Sequence, residues 1–169
     1  MRRRDATAAG GVGPYRPLRK LAGFRESRVT DDAPHWASQV ALDDQERVIG
    51  VYENEPGNSD ESILITNRGL YLGEHGSWAS LKYKDITGVE SPSIAGAQAK
   101  FDVDQIWVNL KDGTRHELHV TGRNGTFPDL WPFLRFLRDI DRVVRWEERQ
   151  SGGNRSRDTK PPNTAAHRA

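Results

Sequence analysis

Apolar and polar residues alternate along the middle of this chain in short stretches separated by turn residues. The period is near two from about Arg47 to Val120, which is typical of half-buried strands. Short strands at this spacing predict a mostly β domain, either a bent barrel or a sandwich. The predicted strands are Arg47–Asn54, Glu61–Thr66, Leu70–Glu74, Trp78–Lys84, Ile86–Ser91, Phe101–Leu110 and Thr114–Val120.

The side on which apolar residues fall predicts the register of the last hairpin. A three-residue loop, Lys111-Asp112-Gly113, places Ile106 opposite Leu118 and Val108 opposite His116. A two-residue loop would bring charged residues onto the apolar side, because a slip of one residue turns every side chain over. The glycine that ends the loop then occupies the left-handed position that such loops need.

A second hairpin is predicted to have the same three-residue type of loop. The residues Asn67-Arg68-Gly69 also end in glycine and lie between two apolar strands. This loop places Leu64 opposite Leu72 and Ile65 opposite Tyr71.

A change of period after Gly125 indicates the single predicted helix. Asp129 is predicted to cap its N-terminus, with Pro132 in the first turn, and the helix is predicted to reach about Glu148. One side carries an apolar stripe wide enough to cover the open end of a small barrel. The stripe consists of Leu130, Phe133, Leu137, Ile140 and Val144.

Two stretches carry motifs of a known superfold. In residues 61–71 an apolar strand ends in Thr-Asn and the next begins with Leu-Tyr, and in residues 81–90 an apolar strand leads to Asp-Ile-x-x-Val. Together with seven strands followed by one helix, these motifs resemble bacterial PH and GRAM domains of the pleckstrin-homology-like superfold. The resemblance covers residues 47–148. It implies a PH-like, seven-stranded bent barrel or sandwich capped by an amphipathic helix.

The two ends of the chain are basic, whereas the middle is acidic. Basic and acidic residues number eight and two in residues 1–30, thirteen and twenty-one in 31–150, and four and one in 151–169. The ends are also poor in apolar residues, so we predict flexible basic tails at 1–30 and 149–169. Between them we place an acidic lead-in segment at 31–46, where a short helix or turn packs Trp36 and Leu42 on the body, and the domain at 47–148.

The polar side of the predicted helix is the first candidate for a binding surface. Arginines recur there at helical spacing with a tryptophan at each end, a combination that suits an acidic protein, anionic lipid or single-stranded nucleic acid. The alternative is a solvated helix face whose arginines pair with nearby acids. The candidate residues are Trp131, Arg135, Arg138, Arg142, Arg145 and Trp146.

An acidic stretch, residues 31–61, is the alternative surface. It holds nine acids against Arg47 alone. Such a stretch could cover a basic active site, as an inhibitor or immunity protein does, receive the chain's own basic tails, or serve solubility only. Its candidate residues are Asp43, Asp44, Glu46, Glu53 and Glu55.

The charges of one loop also bear on whether the domain binds phosphate groups. Many PH domains bind phosphoinositides through basic residues in the loop after the first strand, but the matching loop here, residues 54–61, has three acids and no base. We therefore expect no phosphoinositide at this loop. Nucleic acid or an anionic membrane remains a candidate partner for the basic tails.

No group of residues in the sequence indicates catalysis. Cysteine is absent, and there is no glycine-rich phosphate loop or nucleophile elbow. His116 and His119 are three apart on one strand, so they point to opposite faces and cannot chelate one metal ion together. We therefore expect no enzyme, no cofactor and no metal.

These patterns predict a non-catalytic PH-like binding module of a bacterial cytoplasm. A protein partner would contact the arginine side of the helix or an exposed strand edge, and self-association is left open. The basic start has no apolar segment after it and no apolar run is long enough for a span, so we expect neither a secretory signal nor a transmembrane helix.

Overall fold

Two antiparallel sheets and one long helix form the described part of the chain, which in this computed structural model comprises residues 14–27, 35–91, 105–121 and 129–153. Neighbours along the chain are neighbours within each sheet. The first sheet consists of β1 (Phe24–Glu26), β2 (Val48–Tyr52), β3 (Ile63–Thr66), β4 (Gly69–Glu74) and β5 (Ser77–Lys82). The second consists of β6 (Ile86–Glu90), β7 (Gln105–Leu110) and β8 (Arg115–His119), and the helix α1 is Leu130–Gly153.

The predicted fold class is confirmed, because the protein is mostly β with one C-terminal helix. Each of the seven predicted strands is present, and its described bounds differ from the prediction by one or two residues at some ends. Residues 101–104 of the predicted sixth strand lie outside the described residues. Two details differ. Eight strands are described instead of seven, and they form two separate sheets, so the described strands do not close into a barrel.

Residues 14–27 belong to the fold, which corrects the prediction of a flexible tail over residues 1–30. Leu18 and Leu21 are buried in the main core, and Phe24 of β1 pairs with Tyr52 of β2. A 3-10 helix at Arg16–Lys20 contacts α1. The segment was missed because one short helical turn and a three-residue strand give no sustained period. Residues 1–13 and 28–30 of this predicted tail, and residues 154–169 of the second, lie outside the described residues.

The helix begins where the sequence predicted and ends later. Its first residue follows Asp129, as expected, but it continues to Gly153, so residues 149–153 are helical where a tail was predicted. Four residues of the predicted apolar stripe are buried, including Phe133 and Leu137 with no exposed surface, and the fifth, Val144, is partly buried. Val143, the residue before Val144, is 40 % exposed.

The register of the β7–β8 hairpin is confirmed. Ile106 lies opposite Leu118 and Val108 opposite His116. The loop closes with a hydrogen bond from Leu110 N–H to the Thr114 carbonyl, and its glycine, at 113, has a φ of 86°. One side of this hairpin faces the core, so the apolar side determines the register.

The predicted register of the β3–β4 hairpin is wrong by one residue. Leu64 lies opposite Tyr71 and Ile65 opposite Leu70, so the loop has two residues. All four residues of β3 are buried, and a strand buried on both faces gives no parity signal. Gly69 is needed for a different reason: a Cβ there would lie 2.4 Å from the backbone oxygen of Leu81 in β5.

Apolar residues cover both faces of the first sheet. The larger core gathers side chains from both sheets and from the inner side of α1, among them Tyr52 and Phe133, whose ring centres are 5.6 Å apart. On the other face, Trp36 stacks on Trp78 from a 3-10 helix at His35–Gln39, and Leu42 packs beside them. The predicted packing of Trp36 and Leu42 is confirmed, so residues 35–46 are part of the fold.

A buried carboxylate joins the start of α1 to the segment that precedes β1. Asp129 is 1 % exposed, and its two oxygens accept hydrogen bonds from the backbone N–H groups of Ala22 and Gly23, each at 2.9 Å. Hydrogen bonds to a charged group stabilise more than neutral ones. This contact fixes the N-terminal segment against the helix.

We expect Asp129→Asn to lower the free energy of unfolding by about 1–3 kcal/mol. The asparagine amide group would face a backbone donor where the carboxylate now accepts. Urea unfolding of the full chain measures the change. The matched control is Asp139→Asn, a partly exposed acid of α1 whose ion pairs are weak, and for it we expect less than about 0.5 kcal/mol. Equal losses for the two variants would contradict the assigned role.

Candidate partner-binding groove

A groove of about 870 Å³ is lined by the outer side of α1 and by residues 14–20. It brings together three residues of the predicted helix site, Trp131, Arg135 and Arg142. Arg16 and Lys20 of the 3-10 helix line it as well, although the sequence had placed them in a tail. We call these five residues the basic groove.

The basic groove has more positive than negative charge. Its lining includes one acid, Asp139, whose carboxylate is 3.9 Å from Arg135 and 3.5 Å from Arg142. The two arginine side chains are 78 % and 80 % exposed, so these ion pairs are weak and screened by water. One carboxylate among four cations leaves the groove attractive to an anion.

Apolar surface lies beside the cations. Trp131 is 36 % exposed and Val143 is 40 % exposed, and both line the groove. Trp146, further along α1, is 57 % exposed. Tryptophan and arginine are the residue types most enriched among those that dominate the energetics of protein interfaces.

The remaining predicted residues of the helix do not line the groove. Arg138 is exposed and forms no ion pair within the described residues. Arg145 pairs with Asp141 at 2.7 Å and donates a hydrogen bond to the Thr87 carbonyl in β6. The structure therefore divides the predicted arginine face: part of it lines the groove, and Arg145 is turned towards the second sheet.

The alternative acidic surface is also divided. Glu53 is 1 % exposed, and its carboxylate accepts hydrogen bonds from the Trp36 indole at 3.1 Å and the Gly57 N–H at 3.0 Å and pairs with Arg25. This residue holds the neighbouring segments on the first sheet and is not available to a partner.

Glu46 is the second acid of that set that lies inside the fold. Its side chain is fully buried and contacts the hydroxyls of Thr66 and Tyr71 and, at 2.9 Å, the ammonium group of Lys82. Burial alone would raise the pKa of Glu46, but hydrogen bonds from these three residues and the charge of Lys82 outweigh it and lower this pKa to about 2. The other three predicted acids, Asp43, Asp44 and Glu55, are exposed.

The described residues contain no cluster of three or more histidine, aspartate or glutamate side chains that could hold a metal ion. In the same ranges, no helix has both the length and the apolar content to cross a membrane.

No protein-family model, curated protein or solved structure matches this chain. The resemblance to pleckstrin-homology-like domains therefore stays a prediction.

We expect Glu46→Gln to be destabilising at neutral pH by no more than about 3 kcal/mol. The pKa of Glu46 is lower in the folded protein than in the unfolded chain, so its stabilisation is complete above pH 5 or so and disappears as the pH falls towards about 2. Unfolding free energies of variant and wild type should therefore converge towards acid. The exposed Asp44→Asn serves as control; a gap for Glu46→Gln that stays constant down to acid pH would refute this assignment.

Proposed function

We propose that this protein is a non-catalytic binding module whose basic groove holds an acidic segment of a protein partner. The observation that carries the proposal is that four cations and one carboxylate line the groove, beside a partly exposed tryptophan. A partner carboxylate would gain charge-assisted hydrogen bonds from the arginines, and an apolar side chain next to it would bury Trp131.

The groove geometry favours a peptide over the other anions that the sequence suggested. A membrane presents a broad surface, whereas these cations line an open groove of about 870 Å³. To bind a nucleic acid backbone, the helix would need a long row of free cations along it. Arg145 is not one of them, because it pairs with Asp141 and donates to the Thr87 carbonyl. A solvated helix face would have its arginines neutralised by local pairs, whereas in the groove one carboxylate, Asp139, is shared by Arg135 and Arg142 at 3.9 and 3.5 Å.

The acidic inhibitor function has less support. Two of its five candidate residues, Glu46 and Glu53, have internal structural roles.

The proposal that the module is PH-like and bacterial depends on the motifs in residues 61–71 and 81–90 and on the order of strands and helix. The absence of cysteine fits a cytoplasmic protein. Self-association stays a prediction.

A double charge reversal tests the groove directly. We expect Arg135→Glu with Arg142→Glu to weaken binding of a fluorescein-labelled peptide of alternating glutamate and leucine at least tenfold, or about 1.4 kcal/mol. Fluorescence anisotropy measures the affinity. Trp131→Ala should also weaken it, because the aromatic contact is lost.

The matched control is Arg138→Glu, which reverses an exposed charge on the same helix outside the groove. Circular dichroism confirms that each variant is folded. If Arg138→Glu weakens binding as much as a groove arginine does, the peptide is attracted by the overall charge of the helix and the assigned site is wrong.

A further inference from the structure

The outer edge of β8 faces a second cleft, of about 770 Å³. β8 pairs with β7 on one side, and no described strand pairs with it on the other. Residues 115–119 line this cleft together with the loop after β2 and the end of β4. None of its lining residues belongs to the basic groove. An unpaired strand edge next to an open cleft is the geometry in which a further strand can be added.

The register shows which backbone groups point into the cleft. The bond between Leu110 and Thr114 identifies a hydrogen-bonded pair, so the pairs two and four residues further along are also bonded. The N–H and C=O groups of Arg115, Glu117 and His119 therefore point away from β7. A side chain already uses the last of them, because Asn54 donates to the His119 carbonyl at 3.0 Å.

The opposite wall of the cleft is fixed in place. The loop after β2 lies so close to β4 that a Cβ on Gly73 would be 1.9 Å from the Ser59 carbonyl oxygen. Hydrogen bonds from Gly73 N–H to the Ser62 carbonyl and from Glu61 N–H to the Gly73 carbonyl hold it there. A fixed wall reduces the entropy that a ligand loses on binding.

The charges of the cleft select the class of ligand. Arg115 is the single arginine or lysine among its lining residues, beside three histidines, and its guanidinium group lies 4.1 Å from the ring centre of Trp107 and 3.6 Å from Glu90. The acids that line it are more numerous and favour a cation. They are Glu55, Asp60, Glu61, Glu74 and Glu117.

We propose that this cleft binds an extended, basic segment of a partner protein, which adds to β8 as a fourth strand of the second sheet. Backbone groups of Arg115 and Glu117 pair with the incoming strand. Every second side chain of that strand points towards the acidic rim, which prefers lysine or arginine. This site is independent of the basic groove and takes a ligand of opposite charge.

A proline at position 117 tests whether the peptide binds by backbone hydrogen bonds to β8 or only by the charge of the rim. The Glu117 N–H points away from β7, so proline leaves the β7–β8 bonds intact but removes the donor at the free edge. The probe is a fluorescein-labelled peptide of alternating lysine and valine, with affinity measured by anisotropy. We expect Glu117→Pro to abolish binding, whereas Glu117→Ala, which keeps the N–H, weakens it only several-fold. Equal binding by Glu117→Pro and Glu117→Ala would overturn the proposal.

A second measurement uses the unmodified protein, in case the proline variant does not fold. The same peptide with an N-methyl group on every residue keeps its charges but loses the N–H donors of both edges, and we expect it not to bind. Binding as tight as that of the unmethylated peptide would show attraction by charge alone and overturn strand addition.

A charge control completes the design. Glu74→Lys on the rim should weaken binding, while Asp44→Lys, an exposed acid outside the cleft, should not. Equal effects of the two would place the peptide elsewhere.

Discussion

Burial of the apolar stripe of α1 against the two sheets is the interaction on which the rest of the structure depends. Phe133 and Phe136 have no exposed surface, and they meet the rings of Tyr52 and Tyr83 edge-on. Removing one such aromatic side chain from water stabilises a fold by about 2 kcal/mol, so these contacts determine which side of α1 is inside. They thereby determine that Trp131 and its neighbouring arginines face out, where the 3-10 helix at Arg16–Lys20 completes the groove.

Hydrophobic periodicity predicted those parts of the fold in which one face differs from the other. It located α1 and the register of β7–β8, because each has one buried side and one polar side. It did not determine the register of β3–β4, because β3 is buried on both faces by the main core and by the cluster around Trp36. There the position of Gly69 depends on the close approach of β5, a tertiary contact that no local pattern records.

Charge was a weaker guide to the candidate binding surface, because the sequence does not show which charged side chains are buried and paired inside the fold. Glu46 and Asp44 look equivalent in the acidic stretch, yet Glu46 is enclosed by Thr66, Tyr71 and Lys82, whereas Asp44 is exposed. Lys20 is the opposite case. The sequence placed it in a solvated tail, but in the structure it lines the groove. Of the five residues of the basic groove, spacing pointed to three, and the other two, Arg16 and Lys20, depend on the packing of a distant segment.

The near-zero net charge of the chain conceals two surfaces of opposite sign on one body. In the two proposals, the basic groove would repel a lysine-rich segment and the cleft beside β8 an acidic one, so each site would reject the ligand of the other by like-charge repulsion. The two proposed mechanisms of recognition also differ. The groove depends on side chains, whose long cations adapt to a ligand, whereas the cleft depends on backbone groups, whose spacing is fixed by the sheet. A strand edge alone accepts many sequences, and the acidic rim supplies the selectivity that the backbone lacks.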